Sequence, residues 1–188
     1  MINQVEELIG GDLADHLFSY AVLTKTKKPD TQIEGTMSGY AHPPFEILLM
    51  QLQPKIEQMY GKPLVPTYSM FRVYKPGDEL KRHIDRQSCQ VSATLCLGWH
   101  NLDYMWPIFV AGVPLGMNKG QGVVYKGCDQ VHWRDTLIGK EDAVFAQVFL
   151  HYIEKDGEFD PEFAFDKRDG LNFDDFEGGN REREHTDR

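Results

Sequence analysis

The chain has 188 residues, near the ~150 of one average domain, so a single fold with a tail is expected and not two independent folds. Its 41% hydrophobic and 12% aromatic content supplies a core and excludes a disordered or fibrous chain, and no run approaches the ~18 consecutive apolar residues of a membrane span. With 20 basic against 29 acidic residues, the net charge of -9 has the wrong sign for a phosphate backbone, so neither nucleic acid nor membrane is expected as a partner.

The acid is uneven. From Glu154 to Arg188 there are thirteen Asp and Glu against six Lys and Arg. We therefore divide the chain into a nearly neutral body, 1–153, and an acidic tail, 154–188, whose Phe159, Phe163, Phe165, Phe173 and Phe176 imply that its first part docks while its end stays mobile. Cys89, Cys96 and Cys128 are odd in number and lack C-x-x-C spacing, and Met1 to Tyr20 shows no basic start followed by an apolar run. Reduced thiols in a cytoplasmic monomer are expected, not a zinc ribbon or a disulfide scaffold.

In chain order, Val5 to Leu23 carries apolar residues at helical spacing, interrupted at Gly10-Gly11, with Asp12 as N-cap of a second helix. Lys25 to Gly39 is polar and reads as a loop. Pro43-Pro44 opens a helix through Tyr60, with Phe45, Leu48, Leu49, Leu52, Ile56 and Met59 on one face and Gly61 as its stop. Beyond Pro66, β-branched and aromatic runs predict strands near 68–74, 81–85, 90–98, 106–110, 122–125, 130–135 and 144–153. Antiparallel strands without intervening helices make a mainly β protein with flanking helices, a sandwich or jelly-roll barrel.

The segment Lys81-Arg82-His83-Ile84-Asp85-Arg86 contains H-x-D, and in a strand the period of two puts His83 and Asp85 on one face. His132 follows 49 residues later on a strand-like run, where a barrel can bring it alongside. Two imidazoles and one carboxylate leave three positions of an octahedral metal open, which suits non-haem Fe(II); zinc more often takes four ligands tetrahedrally.

Tyr74-Lys75-Pro76-Gly77, then His83-Ile84-Asp85, then Ser92-Ala93-Thr94-Leu95, then Gly122-Val123-Val124-Tyr125 leading to His132, and finally Gln147-Val148-Phe149-Leu150-His151 resemble the prolyl 4-hydroxylase type of Fe(II)/2-oxoglutarate-dependent dioxygenase. The resemblance spans about residues 68–152. It implies a double-stranded β-helix, with His83, Asp85 and His132 as iron ligands and Tyr74 as a 2-oxoglutarate contact. It further implies O2 as oxidant, ascorbate as reductant, and oxidative decarboxylation of 2-oxoglutarate to succinate and CO2 coupled to hydroxylation of a prolyl residue in a protein or peptide. A free small molecule is the alternative substrate, and a cupin-like metal-binding module without turnover the alternative function.

One position departs from the family. The Lys or Arg expected about ten residues beyond the distal histidine is replaced by Asp142 or Ala143. Arg134 lies two residues past His132, on the same strand face and ~6.7 Å along it, and its planar fork can grip a carboxylate. Lys140 and Arg72 are the other candidates. Trp99, Trp106, Trp133, Tyr125 and Phe149 are candidates for pocket walls, with Trp133 facing away from the metal. His100 and His151 are not read as ligands, and His151 is taken as structural. The loops 24–39 and 104–118, with the Phe-bearing tail, are expected to form the rim.

Overall fold

The computed structural model describes residues 1–24 and 30–171. Among the described residues, ten strands form two antiparallel sheets. In chain order they are β1 (Ile2–Val5), β2 (Met37–Tyr40), β3 (Leu64–Tyr74), β4 (Leu80–His83), β5 (Val91–His100), β6 (Ile108–Val110), β7 (Val113–Leu115), β8 (Gly122–Tyr125), β9 (His132–Arg134) and β10 (Val144–Glu154). The major sheet runs β1-β8-β5-β10-β3-β2 and the minor sheet β4-β9-β6-β7. Helices α1 (Gly11–Leu23) and α2 (Pro43–Tyr60) cover the outer face of the major sheet. Among the described residues no helix is long and apolar enough to cross a membrane.

Alternation along the long central strands builds both faces of that sheet. Phe71 and Val73 of β3, Ala93, Leu95 and Leu97 of β5, and Val148, Leu150 and Tyr152 of β10 meet Ala14, Leu17, Phe45, Leu49 and Ile56 of the two helices. The intervening residues point into the barrel and include Arg72, Ser92, Thr94, Gln147 and His151, all buried. A second buried apolar cluster, with Tyr74 of β3, Cys96 of β5, Val123 of β8 and Phe145 of β10, fills the rest of the interior.

The second helix starts at Pro43 and stops at Gly61, which has φ 86° and donates its N–H to the Glu57 carbonyl, as its glycine requires. The N-terminal expectation needs correction. Val5 to Ile9 is not helical: Ile2–Val5 pairs with Tyr125–Gly122 as an edge strand, and the N–H groups of Leu8 and Ile9 both donate to the Gly120 carbonyl. Helix α1 begins at Gly11 with Gly10, not Asp12, at the N-cap. Within the presumed loop 25–39, Met37–Tyr40 adds a strand to β3, and residues 25–29 lie outside the described residues. A further hairpin joins β6 to β7 through Ala111 (φ 49°) and Gly112 (φ 85°), the positive-φ pair that a two-residue hairpin turn demands.

A buried carboxylate ties α2 to the sheet. Glu46 accepts the Ser69 N–H and hydroxyl at 2.7 Å each through Oε1, and the Arg168 guanidinium at 2.9 Å through Oε2. Replacing Glu46 with Ala leaves these donors without their acceptor, and we expect a loss of about 3 kcal/mol, read as a lower urea midpoint with an unchanged slope.

Candidate functional site

His83 and His132 face each other as cross-strand partners of β4 and β9. Asp85 lies just beyond the end of β4, not within a strand as the sequence pattern predicts, and its N–H donates to the Gly127 carbonyl at 2.9 Å. The three side chains nevertheless converge. Asp85 Oδ1 lies 3.5 Å from His83 Nε2 and 3.4 Å from His132 Nε2. Each imidazole is fixed from behind, His83 Nδ1 at 2.7 Å from the Lys81 carbonyl and His132 Nδ1 at 2.9 Å from the Gln130 carbonyl. A carbonyl only accepts, so both Nδ1 atoms carry protons and each Nε2, the nitrogen a metal would use, faces the carboxylate. Burial alone would raise the Asp85 pKa, but the contacts with His132 and His83 hold it well below the usual carboxylate range. Two Nε2 atoms and a carboxylate oxygen therefore lie within 4.8 Å of one another, and two imidazoles with one carboxylate, each oriented by a second hydrogen bond, fit a divalent metal.

The site opens into a cavity of about 410 Å³. Tyr125 and Phe149 form part of its wall, as the sequence predicts, together with Tyr68, Met70 and His151. The other aromatic candidates fall elsewhere. Trp133 stacks on Phe109 and under Arg82 on the far side of β9, facing away from the triad as expected, and Trp99 is partly exposed at the end of β5. His100 is also outside, 4.0 Å from Asp142. His151 lines the cavity, and its Nδ1 lies 3.0 Å from Ser92 Oγ; burial pushes its pKa down to about 4, so the ring is neutral at pH 7.

The basic candidates separate by charge balance. Arg134 is completely buried. It donates to the Trp106 carbonyl at 2.7 Å and to Gln147 Oε1 at 2.6 Å, and Gln147 passes on a bond to Thr94. Its Nε is the one buried side-chain nitrogen or oxygen among the described residues without a hydrogen-bond partner, and no carboxylate pairs with it there. Trp106, Phe145 and Tyr74 surround the guanidinium with rings, and burial pulls its pKa down to about 10, which still leaves it charged at pH 7. Arg72, by contrast, is neutralised by Asp30 in a buried pair at 2.8 Å, and it donates to the Tyr74 hydroxyl at 3.2 Å. Lys140 is exposed on a turn.

The rim is only partly the one expected. Asp30, Thr31, Gln32 and Ser38 line the cavity, but 104–118 contributes no lining residue and instead forms the β6–β7 edge of the minor sheet. The docked part of the tail crosses beside the mouth. Asp166 accepts from Tyr40 at 2.5 Å, from both terminal nitrogens of Arg86 at 2.6 and 2.8 Å, and from Ser88 at 2.7 Å. Phe173 and Phe176 lie outside the described residues. Sequence reasoning missed Asp30, Asp166, Ser92, Gln147 and Gly127. The first two are ordinary acidic residues in polar segments, and only their distant arginine partners reveal them.

No family model matches the chain, and no curated protein does. Solved structures do. A prolyl-4-hydroxylase from Pseudomonas putida aligns with a TM-score of 0.61 at 18% identity, over 82% of this chain and 92% of that one. The non-haem α-ketoglutarate-dependent carbocyclase SnoK from nogalamycin biosynthesis aligns at 0.62 and 12% identity, over 81% and 80%. HygX from Streptomyces hygroscopicus, with nickel, 2-oxoglutarate and hygromycin B bound, aligns at 0.61 and 10% identity, over 80% and 82%. The chain has the double-stranded β-helix fold of the 2-oxoglutarate-dependent oxygenases.

Residues Phe165, Asp166 and Lys167 take φ of 50°, 54° and 62°, a run of left-handed non-glycine residues that is costly without tethers. In the Asp166→Ala variant we expect amide exchange over 163–168 to accelerate at least tenfold while β3 and β10 stay protected, as measured by hydrogen–deuterium exchange mass spectrometry.

Proposed function

We propose that the protein is an Fe(II)- and 2-oxoglutarate-dependent hydroxylase, with His83, Asp85 and His132 holding the metal and Arg134 with Tyr74 anchoring the far carboxylate of the cosubstrate. The observation that carries this reading is the guanidinium of Arg134, buried in the same barrel as the triad with its Nε unpartnered and no carboxylate paired with it among the described residues. An uncompensated buried charge costs several kcal/mol, and a dicarboxylate entering the barrel would balance it. Tyr74 complements it: its hydroxyl accepts from Arg72 and keeps its own proton for an incoming carboxylate.

When bound, Fe(II) with 2-oxoglutarate and O2 supplies the oxidant, leaving succinate and CO2 and placing oxygen on a C–H bond. The chain's own part is to fix the two imidazoles by their carbonyl partners, to orient the cosubstrate through Arg134, and to keep water from the reaction with Tyr125, Phe149 and Tyr68. Ascorbate would serve as reductant. A cytoplasmic setting is in keeping with three unpaired thiols.

For the substrate we favour a prolyl residue in a peptide. Tyr40 and Tyr68 stack at 4.9 Å beside Met70 and Ile84 along the cavity. Arg72 and Arg86, the two arginines there, are neutralised by Asp30 and Asp166. What remains is an aromatic wall without a free charge, suited to an uncharged ring. A small molecule is the second reading, favoured by the cavity volume of about 410 Å³.

Supplied with Fe(II), ascorbate and 2-oxoglutarate alone, the protein should release succinate slowly. His83→Ala and Asp85→Ala should release none while keeping the wild-type circular dichroism. The absence of both succinate release and 2-oxoglutarate binding in the wild-type chain would refute the proposal. Mass spectrometry of proline-containing peptides and of free small molecules, searching for a gain of one oxygen atom, separates the substrate readings. Separately, Arg134→Ala should raise the KM for 2-oxoglutarate at least tenfold, because a charge-assisted pair contributes roughly 1.5–3 kcal/mol; an unchanged KM would move the anchor to Arg72 or Lys140.

A further inference from the structure

The two oxygens of Asp85 have different surroundings. Oδ1 faces the imidazoles at 3.4 and 3.5 Å, whereas Oδ2 lies 3.1 Å from the hydroxyl of Ser92. Ser92 Oγ is in turn 3.0 Å from His151 Nδ1. The three residues form a chain running from the sheet to the triad, and protons can be assigned along it. A carboxylate only accepts, so Ser92 gives its single hydroxyl proton to Oδ2; the Cys89 carbonyl, at 3.3 Å, is the more distant acceptor. The Ser92 oxygen is then free to accept, and His151 donates its Nδ1–H to it.

This chain is rigid where it begins. Ser92 and His151 are cross-strand partners of β5 and β10 at the centre of the major sheet, and both are buried. Tyr68 packs on the His151 ring at 4.6 Å between centroids. Space around Oδ2 is kept by a missing side chain: a Cβ on Gly127 would lie 2.5 Å from Oδ2 and 2.7 Å from Ser92 Oγ.

We propose that His151 and Ser92 are positioning residues that hold Asp85 as a one-oxygen ligand. This rests on the reading of the triad as a metal centre. The consequence is coordinative. If Oδ2 swung toward the metal, Asp85 would take two positions of six and leave two. With Oδ2 held back, three stay open, the number that a two-atom chelate and O2 together require. His151, conspicuous in the sequence without a visible partner, thereby acquires a role through Ser92.

Co(II) alone is a suitable probe, because its visible absorption reports coordination number and its affinity follows by calorimetry. Relative to the wild-type chain, Ser92→Ala and His151→Leu should each weaken Co(II) binding by 10–100-fold and shift its absorption. His151→Asn, whose amide can place an N–H donor near the position of Nδ1, should restore both. The double variant Ser92→Ala/His151→Leu should lose no more than the weaker single variant, since both break one chain. Packing loss alone would predict neither the rescue nor the non-additivity. Wild-type affinity and absorption in folded Ser92→Ala, or failure of His151→Asn to rescue, would overturn the relay. Failure of the wild-type chain to bind Co(II) at all would overturn the metal-centre reading and the relay with it.

Discussion

The Nε2 atoms of His83 and His132 each lie within about 3.5 Å of one Asp85 oxygen, and the three ligand atoms lie within 4.8 Å of one another. Hydrogen bonds from the backbone and the central sheet keep this cluster in place. The Lys81 and Gln130 carbonyls set the ring tautomers. Asp85 is located by its N–H bond to Gly127, whose lack of a side chain also makes room for the carboxylate. These supports come from backbone and from the central sheet, so the geometry does not depend on mobile side chains.

Charge balance gives the barrel its second organising feature. Arg72 pairs with Asp30, Arg86 with Asp166 and Arg168 with Glu46, each joining segments far apart in the chain. Arg134 alone among these arginines has rings and neutral oxygens around it in place of an acid. Gln147 faces it from β10.

Much of this was legible in the sequence because it rests on local periodicity. The H-x-D spacing, His132 on its strand, the alternation of β3, β5 and β10, and the Gly61 helix stop all follow from neighbours in the chain. What escaped depends on distant partners. The helical spacing read from Val5 onward fails at its start, because Ile2–Val5 pairs with β8, whose outer edge would otherwise be bare. Met37–Tyr40 is too short and polar to announce a strand until β3 lies beside it. Asp166 gains its meaning only when the tail returns to Arg86, and Ser92 only when β10 places His151 across from it.

The most direct test is crystallographic. Crystals grown with Mn(II), measured for anomalous scattering, should show one strong peak at bonding distance from His83 Nε2, Asp85 Oδ1 and His132 Nε2, with Asp85 Oδ2 still on Ser92. A peak elsewhere, or none while the three side chains stay converged, would contradict the account.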